Sequence, residues 1–171
     1  TLAENAKVLY MEGTPGLDHS KLRKEGFLEV ISEKRPDVEI LASQPADYYR
    51  DKAMALMENW MQAYPEFDAV IAANDQMALG AIQALKGAGR LEGVQVVGID
   101  ATEEACATIK AGEMQLSVFQ DAENQAKACL ETLVNILEKG EEPPKEVIVP
   151  FKNVTKENVD EFIKMYEERK K

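Results

Sequence analysis

Three hydrogen-bonding side chains stand at the ends of short apolar runs, where they could bind a common polar ligand: Asn74, Asp100 and Gln120. Carboxylate and amide oxygens accept hydrogen bonds, and the amides also donate them. Asn and Asp are in addition preferred helix N-caps, which would explain Asn74 directly before Asp75. Capping explains Asp100 less well because Thr102 is better placed, and Gln is a poor cap. For Asn74, both interpretations stay open.

The apolar runs alternate with helical patterns along the chain. We expect strands of about five residues separated by helices of about 10 to 18 residues, which predicts an α/β fold with a doubly wound, mostly parallel sheet and helices on both faces. The expected strands are residues 8–11, 38–42, 69–73, 94–99, 116–119 and 147–151. In such sheets, ligands bind beyond the carboxyl ends of the strands. The three polar residues should therefore share one edge of the sheet.

Composition excludes several classes of partner and site. The chain has 171 residues, 45% apolar and 30% charged, enough for one globular domain with a sizeable core. Its 31 acidic and 20 basic residues give a net charge of -11, which disfavours nucleic acid and anionic membranes. No apolar run approaches the ~18–20 residues of a membrane span. The spacing of Cys106 and Cys129 does not indicate a metal site, so we interpret both as small buried side chains. The single His19 is interpreted as an exposed cap at a helix start.

Several motifs in one order resemble a known family. They are ND with MALG at residues 74–80, VVGID at 96–100, LASQPAD at 41–47, KAG at 110–112 and NVTKENV at 153–159. Together they resemble the ribose-binding type of sugar-binding protein of bacterial ABC importers, which has the type I periplasmic binding fold. In that family the sugar lies between two lobes joined by three crossings of the chain.

The resemblance implies a set of sugar-binding residues. Arg23 corresponds to an arginine that reaches the sugar from the first helix of the second lobe, and Tyr48 to an aromatic ring that packs on it. Asn74, Asp100 and Gln120 correspond to the residues that hydrogen-bond the sugar hydroxyls. No residue is assigned a catalytic or metal-binding role, and no cofactor is implied.

Two departures leave the exact sugar open. Tyr48 stands where ribose binders usually have phenylalanine, and Ile99 stands where a second aromatic residue is common. The class implied by the resemblance, a monosaccharide with ribose or a related pentose favoured, is less affected by them.

The resemblance also implies a division of the chain. Residues 1–120 would form the C-terminal lobe without its first strand and helix, with Thr1 at the tail of that helix. Residues 121–145 would be a crossing segment and a helix that packs on an absent N-terminal lobe, and residues 146–171 a returning strand and the C-terminal helix. The apolar stripe of the helix at 122–138 would then lack its cover. We expect it to fold back or to pair with a second copy.

Three functions are compatible with these patterns. The first is a solute-binding component of an ABC sugar importer, with a membrane permease as partner, in the periplasm or tethered outside the cell, by a lipid anchor for example. The second is the effector-sensing core of a lac-repressor-type transcription regulator, which shares the fold. The third is a sugar-processing enzyme, for which the chain offers no acid–base pair or nucleophile in a suitable setting. The ending and the last helix favour the importer protein.

Overall fold

The computed structural model describes residues 2–170, in which six strands alternate with six helices. The strands are β1 Lys7–Glu12, β2 Glu39–Pro45, β3 Ala69–Ala72, β4 Gln95–Asp100, β5 Leu116–Phe119 and β6 Lys152–Val154. The helices are α1 Asp18–Lys34, α2 Arg50–Ala63, α3 Asp75–Gly87, α4 Glu103–Ala111, α5 Ala122–Lys139 and α6 Val159–Arg169. The predicted α/β class is confirmed. The helix tail expected at Thr1 lies outside the described residues.

The six strands form one sheet in the order β2-β1-β3-β4-β5-β6. The first five are parallel and β6 runs antiparallel to β5. β3 has the sequence AVIA and is buried along nearly its whole length, as expected for a central strand covered on both faces. Because five strands are parallel, their carboxyl ends meet at one edge of the sheet.

Helices cover both faces of this sheet. Neighbouring strand residues point to opposite faces, and Val8 and Leu9 belong to different buried clusters. On one face α1 contributes Phe27, whose ring stacks on Tyr10 with centroids 4.6 Å apart, and Ile31, which packs near Val8. On the other face α2 and α3 bury the larger core, which includes Leu9, Met57, Trp60, Met77 and Leu85.

The strand predicted at residues 147–151 is wrong. These residues have no regular structure and are largely exposed, Ile148 by 80%, while the strand that pairs with β5 begins only at Lys152. The β-branched run Val147 to Val149 has high strand propensity, but a strand also needs a neighbour for its N–H and C=O groups. Pro150 within the run has no N–H to donate to such a ladder.

α5 confirms the helix predicted at residues 122–138, and it has no buried residue. Leu130, Leu133 and Leu137 on this helix are exposed, Leu137 by 74%. Cys129 is exposed as well, so the prediction of two buried cysteines holds only for Cys106. The reason is that, within residues 2–170, no other helix or strand packs closely on α5. Among residues 2–170, no helix is long and apolar enough to cross a membrane.

Candidate functional site

Asp100 and Gln120 meet at the carboxyl edge of the sheet. Asp100 is the last residue of β4, and Gln120 directly follows β5, the strand paired with β4. The Gln120 side chain donates a hydrogen bond from Nε2 to Asp100 Oδ1 at 2.5 Å. Asn74 lies two residues beyond the end of β3, the other neighbour of β4. The adjacent strands thus bring together polar residues that are far apart in sequence.

Arg23 connects these strand ends to α1. Its Nη1 donates a hydrogen bond to the carbonyl oxygen of Ala73 at 2.5 Å, and its Nη2 lies 3.8 Å from Asp100 Oδ1. The guanidinium carbon is 5.7 Å from the centroid of the Tyr48 ring. The separation of 3.8 Å is too long for a hydrogen bond, so Arg23 and Asp100 interact through their opposite charges. Each therefore keeps hydrogen-bonding capacity for a third group.

Tyr48 is held in place by groups on α1 and after β1. Its hydroxyl, whose partner the sequence left open, is hydrogen-bonded to Ser20 Oγ at 2.8 Å. The ring lies so close to Gly13 that a Cβ there would be 2.1 Å from Tyr48 Cζ, so any side chain at position 13 would displace the ring. Tyr48 has a φ of 67°, a left-handed conformation that turns the chain after β2. One face of the site is therefore an immobilised aromatic ring.

His19 extends this aromatic surface. Its ring stacks on Tyr48 with centroids 5.3 Å apart and 28° between the planes. His19 is exposed, as predicted, but it does not cap α1, because the N-cap position belongs to Leu17, which has no capping side chain. Sequence spacing could not have placed His19 on Tyr48, since α1 and the loop after β2 meet only in the folded chain.

The structure shows which of these polar residues cap helices. Asn74, which is 8% exposed, accepts a hydrogen bond at Oδ1 from a backbone N–H in the first turn of α3 at 3.0 Å. It is therefore an N-cap, and any bond to a ligand would have to use its remaining hydrogen-bonding capacity. Thr102 caps α4 and Asp121 caps α5, so neither Asp100 nor Gln120 is needed as a cap. These two residues are free to face a ligand.

Electrostatics at this edge favour groups that donate hydrogen bonds to carboxylates. Burial raises the pKa of Asp100 above its ordinary value, although the hydrogen bond from Gln120 and the charge of Arg23 act in the opposite direction. Ionised Asp100 is thus short of donors. A ligand hydroxyl that donates to Asp100 would supply one, and Arg23 offers N–H groups to a ligand acceptor.

The sequence pattern did not predict a second polar cluster on the same edge. Glu12, the last residue of β1, accepts hydrogen bonds at Oε1 from Lys24 Nζ at 2.7 Å and from Ser43 Oγ at 2.5 Å. The only signal in the sequence was the position of Glu12 at the end of an apolar run. Lys24 follows Arg23 on α1, so one helix supplies a cation to two neighbouring strand ends.

Comparison with known proteins places this chain in a family. Residues 1–142 match the family described as periplasmic binding protein domain. Over 158 residues the chain is 42% identical to the putative rhizopine-binding protein of Rhizobium meliloti, covering 91% of this chain and 51% of that protein. Over 154 residues it is 36% identical to the ribose import binding protein of Escherichia coli K12, covering 90% of this chain and 51% of that protein. Both are named for binding a solute rather than for catalysis, in agreement with the expectation of a non-enzyme.

A similar solved structure has a bound ligand. The ABC transporter solute-binding protein of Bacillus halodurans, with bound myo-inositol, superposes with a TM-score of 0.84 at 37% identity, covering 94% of this chain and 55% of that one. The chain spans about half the length of the curated relatives it matches. The solutes named for these relatives differ from one to the next.

Proposed function

This chain belongs to the periplasmic binding protein domain family, within its ribose-binding type of sugar-binding proteins, and we propose that it forms one ligand-binding lobe of the solute-binding component of an ABC importer. One observation carries the proposal. Arg23 on α1, Asp100 at the end of β4 and Gln120 directly after β5 converge at the carboxyl edge of the sheet beside the ring of Tyr48. This is the place where open α/β sheets bind ligands.

The ligand we propose is a ring-shaped polyol of monosaccharide size. Its rim of hydroxyls would donate to Asp100 and accept from Arg23, Gln120 and Asn74, and the Tyr48 ring would cover an apolar C–H face. Hydrogen bonds to charged groups contribute roughly 1.5–3 kcal/mol each, so two or three of them dominate selectivity. Family resemblance favours ribose or a related pentose. The myo-inositol bound to the Bacillus halodurans protein has the same kind of hydroxyl rim and is the first competitor.

The whole protein, as we propose it, has a second lobe that closes over this edge and excludes water. The length of the relatives supports this, since the chain covers about half of them. Its partner would be the membrane permease of the importer, and it would act in the periplasm or tethered outside the cell. The proposed function needs no cofactor or metal. Fractionation of cells that produce the protein tests the location, and recovery only in the cytoplasm would contradict it.

Calorimetric titration with ribose, myo-inositol and other monosaccharides tests the ligand. We expect binding of at least one of them, weak for a single lobe because half the contacts are absent. Asp100→Asn should abolish it. Asp68→Asn is the matched control, because Asp68 precedes β3 at the opposite edge and accepts a bond from the backbone N–H of Lys7 at 2.7 Å. Equal losses in both variants, or no binding by the wild type, would contradict the proposed site.

A second proposal concerns the uncovered face of α5. We propose that, in this chain by itself, Leu130, Leu133 and Leu137 bind a second copy of the chain, because exposed contiguous apolar side chains favour association. A cavity of about 540 Å³ lies beside α5, between Ala128, Cys129 and Thr132 of the helix and the apolar side chains of residues 147–149 and Phe151, and none of the three leucines lines it.

Size-exclusion chromatography with light scattering tests this association. The wild type should form a dimer that dissociates on dilution, and Leu133→Ser should shift it toward monomer. Glu131→Ser is the matched control on the same exposed helix and should leave the dimer unchanged. A monomer at all concentrations would contradict the proposal.

A further inference from the structure

The turn that carries Asp100 has an unusual backbone. Asp100 has a φ of 118° and the next residue, Ala101, a φ of 49°, so two consecutive non-glycine residues adopt positive φ. Such conformations are disfavoured for residues with a Cβ and persist only where surrounding groups hold them. The direction of the Asp100 carboxylate therefore depends on what holds this turn.

Three side chains from distant elements bond the backbone of the turn. The N–H of Ala101 donates to Ser117 Oγ at 2.9 Å, and the N–H of Thr102 donates to Asp75 Oδ2 at 2.7 Å. The hydroxyl of Tyr166 donates to the carbonyl oxygen of Ala101 at 2.9 Å. α3, β5 and α6 thus each fix one backbone group of the turn.

Asp75 and Ser117 act as one unit within this network. The Ser117 hydroxyl donates to Asp75 Oδ1 at 2.6 Å, so each oxygen of the Asp75 carboxylate has a donor. Both residues have an exposed fraction of 0%. A carboxylate is almost never fully buried unless it is paired, and here its donors include groups that hold the turn. Position 75 is also the first residue of α3, where a negative charge is favoured by the helix dipole.

Gly98 on β4 makes room for this carboxylate. A Cβ at Gly98 would lie 2.5 Å from Asp75 Oδ1 and 2.8 Å from Met114 Cε. The missing side chain lets Asp75 reach across the strand to the turn two residues further on. The glycine in the strand thus has a specific function in placing the network.

We propose that Asp75, acting with Ser117, is the positioning residue of the ligand site. It does not contact the ligand; it holds the strained turn, and through the turn it points the Asp100 carboxylate at Arg23, Gln120 and the ligand. The effect of Asp75 on the Asp100 side chain rests on geometry alone. Its effect on ligand binding rests on the proposed function as well. A purely structural role for Asp75 would lower stability and leave the Asp100 side chain where it is.

The first experiment needs no ligand. Nuclear magnetic resonance on this chain compares wild type with Asp75→Asn and Ser117→Ala, and Thr108→Ala is the matched control, because the Thr108 hydroxyl bonds only within α4. We expect both network variants to move the side-chain NH₂ signals of Gln120, which is bonded to Asp100, and to speed hydrogen exchange of the Thr102 amide tenfold or more. The control should do neither. Unmoved Gln120 signals in both network variants would overturn the proposal.

The second experiment measures affinity for ribose and myo-inositol as probes. We expect Asp75→Asn and Ser117→Ala each to weaken binding tenfold or more, and the control Thr108→Ala to leave it within twofold of wild type. Affinity within twofold of wild type in folded Ser117→Ala protein would overturn the proposal. If the wild type binds neither probe, the proposed function fails for these ligands, while the Gln120 signals still decide whether Asp75 positions Asp100.

Discussion

The buried carboxylate of Asp75 predicts an unusual dependence of stability on pH, which Asp75→Asn should remove. Burial raises the pKa of Asp75 from 3.8 to about 6, against the hydrogen bonds from Ser117 and Thr102, and the nearby charge of Asp100 raises it further. Cys106 and Tyr166 also lie close enough to interact with Asp75, and their pKa values are raised as well, mainly by burial. Neither ionises near neutral pH.

The sign and size of the effect follow from this pKa. The folded chain binds the Asp75 proton more tightly than the unfolded chain does. The contribution of this proton to the free energy of unfolding is therefore complete below pH 3.8 and is lost as pH rises through about 6. At 1.36 kcal/mol for each tenfold change in the protonation equilibrium, the full loss is about 3 kcal/mol, of which about 2 kcal/mol or more falls between pH 4 and pH 8.

Urea unfolding at a series of pH values measures this loss, with the fluorescence of the single tryptophan, Trp60, as the probe of the core. Asp75→Asn cannot ionise, so its stability should not follow this pH dependence. Relative to wild type with Asp75 protonated, the mismatched amide should lower the free energy of unfolding by about 1–3 kcal/mol. The stability advantage of wild type over Asp75→Asn should therefore shrink by about 2 kcal/mol or more from pH 4 to pH 8. Effects of carboxyl groups that do not interact with Asp75 cancel in this difference.

Asp37→Asn is the matched control. The Arg35 side chain, together with the backbone N–H of Asn5, holds the pKa of Asp37 well below its usual range. Its contribution is present above the unfolded pKa and is lost only in acid, so the gap between wild type and Asp37→Asn should be flat above pH 5. The reasoning about Asp75 would be refuted by a gap that is independent of pH, or that widens as pH rises.

Three further substitutions test the packing around the site. Asn74→Ala removes the N-cap of α3 and should lower the unfolding free energy by about 1 kcal/mol in urea titration; an unchanged value would exclude a capping contribution. Gly13→Ala should displace the Tyr48 ring, which near-ultraviolet circular dichroism reports, and weaken ligand binding; an unaltered spectrum would contradict the contact. Gly80→Ala improves helix propensity but would place a Cβ 2.3 Å from the Arg50 carbonyl oxygen, so urea unfolding should show a net loss of about 1–3 kcal/mol, and a gain would contradict the close approach of α2 and α3.

Much of the fold could be predicted because its signals are local. Apolar runs alternating with helical periodicity predicted four of the six strands to within one residue at each end, among them β5 at the bounds that the structure has, whereas β2 extends three residues beyond its predicted end. The run at residues 147–151 was mispredicted, because strand propensity is a property of the segment whereas strand formation also requires a neighbour. Cys129 was mispredicted for a related reason, since an amphipathic helix does not specify what covers it.

The candidate site was predicted in part. Its residues follow strands, and the rule for open sheets places strand ends on one edge, so the proximity of Asp100 and Gln120 was accessible from the sequence. The stacking of His19 on Tyr48 and the cluster at Glu12 were not accessible, because each joins elements whose packing no local pattern specifies.

By itself, the sequence determined the alternation of strands and helices, the family resemblance and the polar residues at the strand ends, since all three are written in local spacing and residue type. Tertiary structure alone decided the positive φ of Asp100, the space that Gly98 leaves for the Asp75 carboxylate, and the hydrogen bond between Asp75 and Ser117, which are 42 positions apart. Those features exist only when α3 packs across β4 onto the end of β5. The donors that the fold brings to this buried carboxyl group offset part of the cost of burying it.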